Sequence, residues 1–441
     1  MAKVLISFLG TGRIKNDTSK REYELTKYRI DNKDYDCTFV SAALREYLNI
    51  DKMMLVGTAH SMWEDVYREY AGEDSEDEIW LNIGEKCSAN NHTSPLEIPH
   101  KEDIERVMGR GSKVVLVRYG YTPEEIKENS EIILGLESSL EKGDELFVDI
   151  THSFRSLPLF IMNLLIYLRD VSPKKVKISG IYYGMLEAYK DLHYAPIVNL
   201  NEVLNVNSWI SGAYSFMQFG NAYKIADLVD NDTQIESPKK ISTPLRNFSE
   251  AKNLNHLSEL ENQVQKLQIL KDTEGLPTIA RMVIDPVINE FLGKVKLGNG
   301  KFRLSDFQYK LAQWHKDNHN YAAAYISLNE AILTRACELC DFNSSEYNAR
   351  EDMKKLVFSW AKGHPGSEQK LKDAALLEYV QAYCKRTTLK EYAVLYSKVA
   401  NNRNAIAHSK RDNNGVIVNT YKNMIRDLDT FLGQYKERLG C

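Results

Sequence analysis

A chain of 441 residues exceeds what one hydrophobic core usually organises, so two or more domains are expected. With 43% hydrophobic and 27% charged residues, the composition excludes general disorder. The 57 Lys and Arg against 61 Asp and Glu leave a formal charge of −4, which argues against a protein that coats nucleic acid indiscriminately; any RNA-handling surface must concentrate its cations locally. The most apolar stretch, 157–168, is too short to span a bilayer, and the N-terminus lacks the long apolar region and cleavage site of a signal peptide. A cytoplasmic protein with no membrane partner is expected. The cysteines at 37, 87, 337, 340, 384 and 441 form no disulfide framework. Cys337 and Cys340 make a lone C-x-x-C inside a helical pattern, which reads as two helix-face thiols ahead of a metal or redox site.

The first two hundred residues alternate β-branched runs with helical patterns, the signature of an α/β fold with a parallel sheet flanked by helices. Strands are predicted over 3–9, 52–57, 113–119, 145–150 and 176–183, several apolar almost throughout, as for strands covered on both faces. Helices are predicted over 41–48, 61–70, 123–140 and 156–171. Thr122 caps the third, with Pro123 in its first turn and Glu124 and Glu125 placed to suit the helix dipole. The alternation over 23–35 around Asp31-Asn32-Lys33 predicts an inserted β-hairpin. The acidic run 73–78 reads as a solvated loop.

After about residue 200 helical periodicity takes over. One long helix is predicted over 211–229, then a polar helical stretch over 239–297 punctuated by Pro244, Pro277 and Pro286. Three strong helices follow over 320–339, 389–410 and 416–439, the last two separated by a turn at Asp412-Asn413-Asn414-Gly415. The fold class expected is thus α/β plus all-α, with a Rossmann-like first domain over 1–200, a helical connecting region over 201–300 and a helical domain over 301–441.

Two places carry chemistry. Near the C-terminus, Arg403, Asn404 and His408 lie on one helix, with Asn404 and His408 one turn apart and the small Ala405 and Ala407 between them. From 385 to 411 there are seven basic residues against one acidic, a local phosphate-attracting patch in an acidic chain. RNA cleavage without a metal requires a proton taken from the ribose 2′-hydroxyl, another given to the leaving 5′-oxygen, and a fixed cation beside the phosphorane. Histidine can do the first two and arginine the third, while asparagine orients them; the product is a 2′,3′-cyclic phosphate. The bland alternative is two surface residues near a helix end.

In the N-terminal half an apolar strand runs into Asp149-Ile-Thr151-His152-Ser153-Phe154-Arg155-Ser156 and then a helix. Ligands of open α/β sheets bind beyond the carboxyl ends of the strands, where these hydroxyls, the Arg155 guanidinium and the helix N-terminus would meet an anion. Gly10-Thr11-Gly12 ends the first strand and could bring backbone amides to a phosphate, yet it fits neither a dinucleotide fingerprint nor a Walker A loop. Thr58 (in Gly57-Thr58-Ala59-His60) and Gly184-Met185 hold matching strand-end positions. His152 reads equally as a ligand contact or as a buried histidine bonded to backbone.

These segments resemble known families. Arg403-Asn404-x-x-x-His408 between two C-terminal helices resembles the R-x4-H motif of HEPN ribonucleases, which implies that Arg403, Asn404 and His408 are catalytic where two copies meet across a dimer interface. Asp149-x-Thr151-His152-Ser153, with Gly10-Thr11-Gly12 and Gly184-Met185-Leu186-Glu187, resembles the D-x-T-H-G signature of CARF sensor domains in CRISPR-associated ribonucleases of type III systems; Ser153 departs from the usual glycine. The resemblance implies a CARF–HEPN effector, a homodimer or higher assembly, that needs no cofactor or metal. It would be activated by a cyclic oligoadenylate, with the four-adenosine ring favoured, and would cut single-stranded RNA. The alternatives are a nucleotide-sensing transcriptional regulator whose helical half binds DNA, and a sensor that also degrades its own activator.

Overall fold

The computed structural model describes residues 1–14, 21–153, 156–270, 278–295, 303–340, 342–361, 386–408 and 420–439. The chain divides into two compact units, Met1–Asn207 and Ser208–Cys441.

The first unit contains the strands β1 (Lys3–Leu9), β2 (Arg13–Ile14), β3 (Arg21–Glu22), β4 (Thr26–Ile30), β5 (Lys33–Cys37), β6 (Lys52–Gly57), β7 (Lys113–Leu116), β8 (Glu145–Asp149), β9 (Lys177–Gly184) and β10 (Ala195–Asn199). Among them run the helices α1 (Val40–Leu48), α2 (Trp63–Ala71), α3 (Asp77–Ala89), α4 (Lys101–Val107), α5 (Pro123–Gly135), α6 (Leu157–Asp170) and the single turn α7 (Tyr189–Leu192). The main sheet has the order β5-β4-β10-β9-β8-β1-β6-β7. Its five strands from β9 to β7 are mutually parallel, as the Rossmann-like expectation requires. The sheet is nevertheless mixed: β10, which the sequence patterning did not reveal, pairs antiparallel with β9, and the β4–β5 hairpin extends it at the edge. That hairpin turns on Asp31 and Asn32, both at positive φ, the backbone state a tight two-residue connection demands.

Strand β1 shows why its sequence is almost continuously apolar. Val4, Ile6 and Phe8 pack on one face with α6 residues such as Ile161 and Leu165, while Leu5 and Leu9 pack on the other with Val40, Leu44 and Trp63. The Thr122 cap is present, its hydroxyl accepting from the Glu125 N–H at 3.2 Å. Several bounds differ from the sequence patterning. The strand expected to reach 119 stops at Leu116, and the helix expected to reach 140 becomes a 3-10 turn over Leu136–Ser139. Part of the acidic run is helical, because Asp77 and Glu78 open α3.

In the second unit, α8 (Glu202–Phe219) enters from the first and α9 (Tyr223–Asn231) follows it. The single helix expected over 211–229 is therefore broken, by Gly220 at φ +60. A Cβ there would lie 2.6 Å from the Trp314 ring, so glycine meets both a backbone and a packing requirement. Next come α10 (Lys239–Asn253), α11 (Leu257–Leu270), α12 (Thr278–Val295), α13 (Leu304–Asp317), α14 (Tyr321–Leu339), α15 (Tyr347–Ala361), α16 (Arg386–His408) and α17 (Tyr421–Leu439). Pro244 and Pro286 lie inside α10 and α12 instead of ending helices; Pro277 and the turn at 412–415 lie outside the described residues. Two hydrophobic clusters support this unit. One joins α8 to α13 around Phe216, Phe248, Phe291 and Trp314; the other joins α13 to α17 around Tyr325, Leu328, Tyr396 and Tyr435. Helix α13 contributes to both. No helix among the described residues is long and apolar enough to cross a membrane.

Cys337 is buried and free, with burial pushing its thiol up to about 11, whereas Cys340 is disulfide-bonded. The C-x-x-C is therefore not a pair of equivalent thiols, which corrects the sequence expectation.

Candidate functional site

Because β9, β8, β1, β6 and β7 run parallel, their carboxyl ends share one edge of the sheet. That edge gathers Gly10-Thr11-Gly12, Thr58, Thr151 to Ser153, and Gly184-Met185, all placed there by the sequence reading. Phe154 and Arg155 lie outside the described residues. Ser156 caps α6 from an exposed position, and its side chain makes no capping bond.

The centre of this edge is a lock on a buried carboxylate. Asp149 accepts from the Ser7 hydroxyl at 2.6 Å on one oxygen, and from the Thr151 N–H at 2.9 Å and hydroxyl at 2.6 Å on the other. The Thr151 oxygen in turn accepts the Gly184 N–H at 2.8 Å. Three strand ends, β1, β8 and β9, are thus tied by one carboxylate and one hydroxyl. Ser7, the polar interruption in the apolar run of β1, is there to serve Asp149. The Thr151 hydroxyl is therefore engaged in shaping the edge, where the sequence alone had offered it as a free donor.

Gly184 is glycine for a spatial reason: a Cβ would meet Val40 Cγ2 at 2.6 Å, Tyr28 at 3.2 Å and Thr151 at 3.3 Å. Gly184→Ala is expected to cost about 1–3 kcal/mol by overpacking, read as a lower urea midpoint with an unchanged slope. Met185 closes the same corner, its N–H donating to the Pro196 carbonyl at 2.9 Å.

Ser153 stands where the resembled signature has glycine. It is not among the residues with positive φ, and its hydroxyl donates to the Ile150 carbonyl at 2.8 Å. Serine is accommodated without backbone strain. Thr58 is buried, its N–H donating to the Ser61 oxygen at 2.9 Å, with the two hydroxyls 3.2 Å apart and that of Ser61 bonded to the Leu9 carbonyl. It braces β6 against β1.

The His152 ring packs edge-on to Tyr23 and Phe39, with centroids 5.1 and 5.9 Å away, and its Nε2 is buried with no hydrogen-bond partner among the described residues. Burial pulls the His152 pKa below the ordinary histidine value, against the opposing charge of Asp149. An unfolded chain takes up this proton near pH 6.5, whereas the folded one does so only lower, so acidification below 6.5 favours the unfolded state. Unfolding free energy is expected to fall as the pH drops below about 6.5. His152→Phe, which keeps the aromatic packing, should flatten part of that fall in urea titrations.

Two side chains that sequence reasoning missed complete the edge. The Tyr23 hydroxyl accepts from the amides of Gly10 and Gly12, and a Cβ on Gly10 would come within 2.8 Å of it. The amides expected to cradle a phosphate thus already face a phenol oxygen. Arg21 donates to the His60 carbonyl and pairs with the buried Glu64 at 3.2 Å. Neither had a local signal: a tyrosine and an arginine in a hairpin region read as ordinary edge residues.

In the second unit, α16 carries the other candidate. Asn402 is the buried member of Asn401-Asn402-Arg403-Asn404; its amide donates to the Tyr325 hydroxyl at 3.0 Å, which donates to the Met424 carbonyl at 2.6 Å. This bolt joins α14, α16 and α17 and sets the rotation of α16. Arg403 and Asn404 are consequently half-buried, and His408 is exposed at the helix end. Asn404 and His408 lie one turn apart on a common face, as expected for four residues of helix. The arrangement can hold a phosphate and move a proton. Among the described residues, no group of three or more His, Cys, Asp and Glu is placed to hold a metal ion.

The fold and the strand-end site define a CARF domain: residues 4–187 match the CARF domain of the CRISPR system endoribonuclease Csx1. Residues 205–298 match the second domain of CRISPR-associated protein MJ1674. The chain is thus a CRISPR-associated protein with an N-terminal CARF domain and a second domain of MJ1674 type. It is similar to CRISPR-associated protein MJ1674 of Methanocaldococcus jannaschii, with 35% identity over 376 residues, covering 81% of this chain and 57% of that protein. The chain therefore spans less than two thirds of that relative's length.

Proposed function

We propose that this chain is a cyclic oligoadenylate-activated, metal-independent endoribonuclease of type III CRISPR antiviral defence, acting in the cytoplasm on single-stranded RNA as a homodimer or an assembly of dimers. Residues 1–200 are the sensor, 201–300 a helical connection and 301–441 a HEPN-like nuclease domain. The observation that carries this reading is the face of α16 that presents Arg403, Asn404 and His408 in a chain whose first unit is a CARF domain. The match of that unit to the CARF domain of an endoribonuclease supports it further.

In this reading the ring of four adenosines lies on the strand-end edge, against Gly10, Thr11, Gly12, His152, Ser153 and Met185, with Phe154, Arg155 and Ser156 on its border. Thr58, Thr151 and Gly184 hold the edge in shape. Binding shifts the population towards a dimer in which two α16 ends face one RNA phosphate. One imidazole takes the proton of the 2′-hydroxyl, the 2′-oxygen bonds to phosphorus, and the P–O5′ bond breaks as the second imidazole protonates the leaving oxygen. Arg403 neutralises the phosphorane oxygens, and Asn404 orients the phosphate.

Cleavage of a fluorogenic RNA in EDTA, with rings of three, four or six adenosines or none, tests the reading. Cleavage that depends on the four-membered ring is expected. Ligand-sensitive DNA binding with no cleavage would instead make the protein a transcriptional regulator.

A further inference from the structure

We propose that the α8–α10–α13 junction of the second unit holds a small monovalent anion, of halide size, between Lys252 and His315.

Gly220 lets the chain turn tightly at the end of α8, and the position its Cβ would take lies 3.4 Å from Lys252 Cδ and 2.6 Å from Trp314. Lys252, on α10, is 9% exposed. Its ammonium donates to Asn253 Oδ1 at 3.2 Å and pairs with no carboxylate among the described residues. A buried cation without a counter-charge is costly, and its pKa is pulled down by that burial. Beside it on α13, His315 is wholly buried and neither ring nitrogen has a hydrogen-bond partner among the described residues. Burial and the Lys252 charge push its pKa down to about 3, so the ring is neutral and carries one N–H to donate.

A cavity of about 40 Å³ lies between them, lined also by Gln218, Trp314, Asn318 and Asn320. Asn318 donates one of its two amide N–H groups to the Trp314 carbonyl, and Asn320 commits its oxygen to the Ala323 N–H while its NH₂ makes no hydrogen bond among the described residues. The lining thus supplies an ammonium, an imidazole and the side-chain amides of Gln218, Asn318 and Asn320, with no acidic group. Water would satisfy the donors but leave the ammonium uncompensated; an anion does both. The volume admits a monatomic ion and excludes a nucleotide. Because α13 contributes to both hydrophobic clusters, an ion here ties α8 and α10 to the helix that connects them.

The test is thermal unfolding of the full chain in chloride, bromide or gluconate at constant ionic strength. With chloride at tenfold its dissociation constant, the wild-type midpoint should stand about 3 °C above that in gluconate. Lys252→Met should abolish the difference. Asn320→Ser, which retains the helix cap while removing the amide, should reduce it. Crystals grown in bromide should show an anomalous peak in the cavity, a readout that does not depend on any variant folding. Equal midpoints in all three salts, or a cavity holding only water in the bromide map, would overturn the proposal.

Discussion

His408→Ala is expected to lower ligand-activated RNA cleavage by about 10³-fold or more, with the circular dichroism spectrum and oligomeric state unchanged. The side chain is exposed at the end of α16, outside the cluster of Tyr325, Leu328 and Tyr396, so its truncation removes no core contact. The helix is held by Asn402 through Tyr325 instead. Asn402→Ala therefore offers the contrasting case: it should lower stability by roughly 1–3 kcal/mol, because the buried Tyr325 hydroxyl loses a donor, and lower activity only through the rotation of α16. Activity in His408→Ala equal to wild type would remove the imidazole from the reaction.

The second large effect is expected at Asp149. Asp149→Ala leaves three donors without their acceptor, the buried Ser7 hydroxyl and the half-buried Thr151 amide and hydroxyl, and should destabilise the first unit by about 3 kcal/mol. Thr151→Val separates shape from bonding: it keeps the volume, drops the donor to Asp149 and deprives the Gly184 N–H of its acceptor. A loss of roughly 1–3 kcal/mol is expected, together with a weakened response to the cyclic ligand while basal cleavage stays at its original level. Urea unfolding gives the first quantity, and the fluorogenic assay titrated with ligand gives the second. Full ligand sensitivity in Thr151→Val would move the pocket away from this edge.

The amino-acid order alone was enough to place β1 and β6 residue for residue, to anticipate the Asp31-Asn32 hairpin and the Thr122 cap, and to put the candidate groups at strand ends and on one helix face. Those features are local: alternation, a two-residue turn and an Ncap hydroxyl are each decided within a few residues of chain. Folding decided which groups are already engaged. Ser7 and Asp149 lie 142 positions apart, Asn402 and Tyr325 77 apart, and no periodicity predicts either pair. Thr151 thus passed from free donor to lock, Tyr23 from edge residue to partner of the Gly10 and Gly12 amides, and Asn402 became the structural asparagine beside Arg403. The same non-local packing broke the helix expected over 211–229, where Gly220 must clear Trp314, 94 residues later in the chain. A side chain's chemistry is written in its own identity, but its freedom to act depends on neighbours that only the folded chain brings within bonding distance.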